Sequence, residues 1–146
     1  MEAAYSVRFR IVGHLIALPV YVNDEGPFDF WLDTAGPGII IEKSLAEELG
    51  LEVIDTGKKG IGAGGEVPAL FTTVNSLRFG RIKFKEVHAY VLDLKGTDEK
   101  YEFKFYGCIG YDLLKNFKVC IDYANQKLTL VIAKQRKPSE EKENQK

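Results

Sequence analysis

The sequence predicts an all-β domain, a sandwich or a barrel-like form, on three observations. Short apolar runs with strand-type alternation or β-branching recur through residues 5–132. Clusters of Gly, Pro, Asn and Asp punctuate them at close intervals. Only one segment, residues 44–50, carries both a clear helix start and a helix stop.

In order along the chain, residues 5–11 alternate, with Tyr5, Val7, Phe9 and Ile11 on one side and Ser6, Arg8 and Arg10 on the other. Residues 15–22 are richer in aliphatics and form a second strand. Asn23-Asp24-Glu25-Gly26-Pro27 reads as a turn, because these types supply local hydrogen bonds, a positive φ and a fixed φ. Residues 28–32 make the next strand, which runs into Asp33-Thr34-Ala35-Gly36-Pro37-Gly38, where glycine and proline end regular structure. A short β-branched strand, 39–41, precedes Ser44, which with Glu47 has the spacing of a capping box. The helix over 45–49 stops at Gly50. Glycines then cluster at 57, 60, 62, 64 and 65 as a hairpin or loop. Strands resume over 69–77 and 84–92, with Gly80 at the turn between them. Residues 95–100 are a polar connection, and 101–105 alternate aromatic with charged. Gly107-Cys108-Ile109-Gly110 has the character of a buried strand broken by glycine. One helical turn over 112–116 and strands over 118–122 and 127–132 complete the domain, residues 1–133. Residues 134–146 are almost wholly charged or polar and are expected to be a disordered tail.

Composition narrows the function. At 146 residues, 45% hydrophobic and 28% charged, the chain suits one domain with a sizeable core. A formal net charge of −1 with dispersed lysines and arginines gives no footprint for nucleic acid or an anionic membrane. The apolar run 11–22 is too short to span a bilayer and is interrupted by His14, so it reads as strand and the protein as cytoplasmic. Two histidines offer no Cys/His zinc spacing, and no metal or other cofactor is expected. Cys108 and Cys120 both lie in apolar surroundings and read as buried free thiols, with a disulfide left open. The glycine-rich segment lacks the Gly-Lys-Ser/Thr ending of a phosphate loop.

Asp33 is the main candidate for chemistry. It ends the aromatic strand Phe28-Asp29-Phe30-Trp31-Leu32 and precedes a loop of small residues. A carboxylate at the end of a buried strand needs hydrogen bonds or water, and Thr34 with the amides of Ala35, Gly36 and Gly38 could supply them. A structural turn aspartate is the equally simple alternative on local features. Other residues read as structural: His14 and His88 as packing or surface positions, Asp112 as a cap after Gly110, Asp122 as a turn residue.

The Gly26-Pro27-Phe28 turn, the apolar strand and Leu32-Asp33-Thr34 resemble the retropepsin-like aspartic proteases. The resemblance continues through Ile40-Ile41, the segment 44–51 and the glycine cluster, and returns at Gly107-Cys108-Ile109-Gly110-Tyr111-Asp112-Leu113-Leu114. It closes at residues 117–123 and 128–130, and so covers roughly 7–132 in order. It implies a closed, barrel-like β domain with one short helix, working as a homodimer that pairs one Asp33 from each copy. It further implies an aspartic endopeptidase acting on a peptide or protein, with Thr34 cross-bracing the two loops. Ala35 and Gly36 would contact substrate beneath a flap formed by Ile61, Gly62, Ala63 and Gly64, and Ile109-Gly110 would pack beside the catalytic loop.

Ala35 departs from the pattern, which has glycine there, and Pro37 stiffens the loop further. If residue 35 needed a positive φ, or a close approach by substrate, the methyl would be unwelcome, whereas an extended backbone would accept it readily. The first case leads to a catalytically silent dimerisation or peptide-binding module. A small-ligand binder built on the glycine-rich loop is a more distant alternative.

Overall fold

The structure is a computed structural model that describes residues 3–62 and 65–132. The expected tail, 134–146, and the flap positions Ala63 and Gly64 lie outside the described residues.

β1 (Ala4–Arg8) and β2 (Arg10–Val12) occupy the segment expected to be one strand. The break falls at Phe9, whose side chain is buried in the core and whose amide donates to the Gln126 carbonyl at 3.0 Å. β3 (Leu15–Val22) and β4 (Glu25–Leu32) form a hairpin. Its turn is tighter than the expected 23–27. Only Asn23 and Asp24 make it, both at positive φ (51° and 65°), as the twist of a two-residue hairpin favours. β5 (Ile40–Glu42) leads into α1 (Lys43–Glu48). The cap is Glu42, whose carboxylate accepts from the Ser44 amide at 3.2 Å, in place of the expected Ser44–Glu47 box. Gly50, at φ +66°, ends the helix as expected.

β6 (Ile54–Gly62) and β7 (Gly65–Phe79) form a long hairpin, and β8 (Ile82–Leu92) returns beside β7 after Gly80 at φ +60°. Next comes α2 (Lys95–Tyr101), a helix where a polar connection was expected. Its short length hides it from periodicity, but its charges are ordered for a helix: Asp98 in the first turn, Lys100 in the last, and Lys95–Glu99 at i,i+4. Asp98 also reaches back to hold the Phe105 amide at 2.8 Å, which converts the 101–105 alternation into a return segment. β9 (Gly107–Ile109), α3 (Tyr111–Leu114), β10 (Phe117–Asp122) and β11 (Lys127–Ile132) follow. Among the described residues three short helices thus stand where one helix and one helical turn were expected, in a fold that remains mostly β.

The strands form two sheets. One is antiparallel, ordered β1-β11-β10; the other has eight strands, ordered β2-β3-β4-β9-β5-β8-β7-β6. β3 additionally pairs with β7 through Tyr21↔Arg78 and Val22↔Leu77. Phe30, Phe79, Leu18, Ile41 and Ile109 lie in one core with Leu128 and Leu130 of the small sheet. Cys120 is exposed on β10, with Lys118, while Val119 and Ile121 turn inward, so only Cys108 is a buried thiol. The apolar neighbours of Cys120 belong to the opposite face of an alternating strand. Both cysteines are free. No helix among the described residues is long and apolar enough to cross a membrane.

Candidate active site

Two neighbouring strands position Asp33. β4 and β9 run parallel, with Leu32 opposite Ile109, and the Asp33 amide continues the ladder by donating to the Ile109 carbonyl at 2.9 Å. The chain then turns back. The Asp33 carboxylate accepts from the Ala35 and Gly36 amides, both at 3.0 Å through Oδ1, and the Asp33 carbonyl accepts from the Gly36 amide at 3.0 Å. Asp33 is half-buried, with Oδ2 taking no part in these bonds. Charge-assisted bonds from two backbone amides fix one carboxylate oxygen and leave the other for chemistry.

A second layer clamps this turn. The Gly36 carbonyl accepts from the Tyr111 amide at 2.7 Å, and the Pro37 carbonyl from the Asp112 amide at 3.1 Å. Gly110 makes the approach possible: a Cβ there would lie 2.3 Å from the Gly38 carbonyl oxygen and 2.6 Å from that of Gly36. Gly110 is the N-cap of α3, and Asp112 forms an ion pair with Lys115 at 3.6 Å instead of the expected cap. Gly36 has its own reason, since a Cβ would stand 3.2 Å from Asp33 Cγ and Oδ2.

Ala35 has an ordinary backbone. Among the described residues, those with positive φ other than glycine are Asn23, Asp24, Glu86, Glu102 and Gln126, and Ala35 is not one of them. Its methyl is exposed and its amide donates to Asp33, so alanine makes the backbone bond that glycine would make at this position. Thr34 is also exposed. On β9, Cys108 is buried, and burial together with the nearby charge of Asp33 pushes its thiol up, so that it stays protonated. His14 and His88 are surface residues bonded to Tyr101 and Thr73 at 3.2 and 2.9 Å. Asp122 holds a turn, accepting from the backbone and side chain of Asn125.

A second Asp-Thr, Asp55-Thr56-Gly57, matches the family tripeptide more closely than Asp33-Thr34-Ala35, and the structure separates the two. Asp55 is exposed on the edge strand β6, where pairing with β7 shifts between Asp55 and Lys59. Its carboxylate accepts from the amide of Gly57, at φ +75°, 2.9 Å away. This is the hydrogen-bonding of a bulge on an open edge, with no glycine strand beside it.

The β6–β7 hairpin carries Ile61 opposite Glu66 and Gly62 opposite Gly65 at its end. Between the base of this hairpin and α2 lies a cavity of about 850 Å3. Trp31, Ile40, Val67, Leu70, Leu94 and Tyr101 are among its lining residues. Little in the residue pattern signals it beyond a tryptophan two positions before Asp33, because α2, one of its walls, reads there as a connection.

Comparison with known proteins agrees with this geometry. The fold is that of a retropepsin-like protein: the crystal structure of a retropepsin-like aspartic protease from Rickettsia conorii matches with a TM-score of 0.62 at 24% identity, covering 90% of this chain and 92% of that one. The family model described as aspartyl protease matches residues 18–113, from β3 into α3. The chain belongs to the aspartyl protease family. No curated protein matches it.

Proposed function

We propose that the protein is an aspartic endopeptidase that works as a homodimer, with Asp33 of each copy forming the catalytic pair. The observation that carries this reading is the Asp33 carboxylate held by the Ala35 and Gly36 amides at 3.0 Å, with Ala35 free of positive φ. The departure from the family tripeptide thus leaves the loop able to present its carboxylate. Of the two Asp-Thr pairs, only Asp33-Thr34 sits beside a hydrophobic strand ending in glycine, Ile109-Gly110, so one chain carries half of a site. A two-fold axis would bring the second half and let the exposed Thr34 of each copy brace the other loop.

Two adjacent carboxylates share one proton, because both cannot ionise at close range. The ionised Asp33 takes a proton from a water as its oxygen attacks the peptide carbonyl, and the protonated Asp33 donates to the carbonyl oxygen. Collapse of the tetrahedral species breaks the C–N bond, and the leaving nitrogen takes up a proton from the pair. The β6–β7 hairpin, with Ile61, Gly62, Ala63 and Gly64, serves as the flap over an extended peptide, pairing with its main chain by strand addition. Closure of the large sheet through the β3–β7 pairing supports a barrel-like domain, and two free cysteines suit the reducing cytoplasm.

The test is cleavage of a denatured protein mixture between about pH 4 and 7, with a pepstatin-type inhibitor and Asp33→Asn as controls. Cleavage by the wild type that both controls abolish supports the proposal. A folded, verified dimer without cleavage would make the chain a silent binding module, and a chain that stays monomeric with substrate present would remove the shared-pair mechanism.

A further inference from the structure

On β8, Ala89 and Val91 are buried, and Tyr90 between them faces the other way with 40% exposure. Its ring nonetheless has two firm contacts. Phe71, its partner across the β7–β8 ladder, packs against it at 4.9 Å between centroids with 45° between planes. The second contact is the end of the loop that carries Asp33: a Cβ at Gly38 would stand 3.2 Å from Tyr90 Cε2 and 3.5 Å from Cδ2. Gly38 has a φ outside the left-handed region, so glycine there is a matter of space. The Tyr90 amide holds the next residue, donating to the Ile39 carbonyl at 2.8 Å.

The loop is held at its start by the Asp33 amide on Ile109 and in its middle by the Tyr111 and Asp112 amides on Gly36 and Pro37. Its exit offers less to hold, because Pro37 has no N–H and Gly38 no side chain. The Tyr90 ring stands at this weak point. Behind it, Phe71 lies on β7 opposite Ile54 of β6, at the base of the long hairpin. The aromatic pair therefore sets the Gly38 end of the loop against the ladder of β6, β7 and β8.

We propose that Tyr90 is a positioning residue for the Asp33 loop: its ring, backed by Phe71, stops the Gly38 end from moving outward and so keeps the Asp33 carboxylate placed for reaction. The proposal rests on the peptidase reading for its kinetic consequence, and the brace itself does not. Tyr90 acts through the backbone of Gly38, and a misplacement of about 1 Å at the reacting atoms costs up to about a hundredfold in rate. The contacts are made by ring carbons and ring packing, so phenylalanine can replace tyrosine here. A side chain 40% exposed leaves no closed cavity when truncated, so the loop should feel its loss more than the fold does.

The experiment compares the full-length wild type with Tyr90→Ala, Tyr90→Phe and Phe71→Ala by two readouts. One is kcat and KM on a peptide that the wild type cleaves; the other is amide hydrogen exchange read residue by residue by NMR. For Tyr90→Ala the expected result is a kcat lower by about ten- to a hundredfold with KM within about threefold. Exchange at the Tyr111 and Asp112 amides should be about tenfold faster, with the amides of β10 and β11 unchanged. Tyr90→Phe should bring both readouts within about twofold of wild type, and Phe71→Ala should reproduce part of both effects. Gly38→Ala presses on the ring from the loop side, so it should slow the wild type and add little to Tyr90→Ala, where that ring is gone. The proposal is overturned by unchanged exchange at Tyr111 and Asp112, by acceleration throughout the domain, or by an unchanged kcat in an active enzyme. A wild type that cleaves nothing would remove the peptidase reading and leave exchange to decide the brace. Cleavage by a wild type whose Tyr111 and Asp112 amides are indifferent to Tyr90 would do the reverse.

Discussion

The Tyr111 amide donates to the Gly36 carbonyl at 2.7 Å, tying the first turn of α3 to the loop that carries Asp33. The bond exists because Gly110 lets two backbones approach more closely than any side chain would allow. A carboxylate held this way needs little reorganisation before reaction, which is what a positioning loop contributes to catalysis.

Gly110→Ala tests the clamp. The new Cβ would fall 2.3 Å from the Gly38 oxygen and 2.6 Å from the Gly36 oxygen, both backbone atoms that no rotamer change moves aside. The loop must shift, at a cost of about 2–3 kcal/mol, with peptidase activity falling further than stability. Denaturant unfolding and a cleavage assay measure the two effects. An unchanged midpoint with unchanged activity would show that the loop does not depend on this contact.

The two Asp-Thr pairs predict opposite outcomes. Asp33→Asn should abolish cleavage, because both carboxylates of the shared pair change. Asp55→Asn should leave activity within about twofold and stability within about 0.5 kcal/mol, because Asp55 is exposed and an asparagine oxygen can still accept from Gly57. Loss of activity in the Asp55 variant with folding intact would move the catalytic assignment away from Asp33.

Ala35→Gly addresses the family departure directly. Ala35 has no positive φ and an exposed methyl, and its amide bond to Asp33 survives the change. Glycine should therefore lower stability by about 0.4–1 kcal/mol through the freer unfolded chain, with kcat/KM altered by less than about threefold. A rise of two orders of magnitude or more would identify Ala35 as an inactivating substitution.

Much of this was legible in the sequence, and the gaps have physical causes. Leu32-Asp33-Thr34 and Ile109-Gly110 point to their own juxtaposition because the resemblance keeps them in order, and β4–β9 pairing places Leu32 opposite Ile109. Asp55-Thr56-Gly57 shows the limit of a tripeptide: the residues suit a catalytic loop and a strand bulge equally, and only the neighbouring strand distinguishes them. α2 escapes because seven residues give too little period, and its support comes from Lys104 and Phe105, beyond its own end. Glu42 displaces Ser44 as the cap of α1 because a longer carboxylate one residue before the helix reaches the same amide. Whether Ala35 needs a positive φ is decided by the folded loop, where Ala35 has none, and not by its residue type.

The two thiols should separate in chemistry. Cys120 is exposed on β10, whereas Cys108 is buried and its thiol is pushed up by burial and by the charge of Asp33. A disulfide-exchange reagent at neutral pH should titrate one cysteine in the native protein and both after unfolding. Rapid modification of both in the native state would mean that β9 opens readily, and with it the strand that supports Asp33.

Lys104 carries the last prediction. Its ammonium reaches Asp98 Oδ2 at 3.0 Å and Glu42 Oε2 at 3.4 Å, joining the return from α2 to the cap of α1. Burial alone would lower its pKa, but the hydrogen bond to Asp98 and the charges of Glu42 and Asp98 together raise it above the ordinary value of 10.5. A base whose pKa rises on folding contributes stability that is fully present below its unfolded value and is lost as pH climbs through the folded one. Lys104→Met should therefore cost about 1–2 kcal/mol near pH 7, less than for a fully buried pair because the lysine side chain is 45% exposed and the Glu42 carboxylate only 6%. The gap between variant and wild type should narrow only above pH 10.5, and unfolding curves at pH 7, 9 and 11 measure it. A gap that closes already between pH 7 and 9 would mean that a different group, not this ammonium, fastens α2 to the cap of α1.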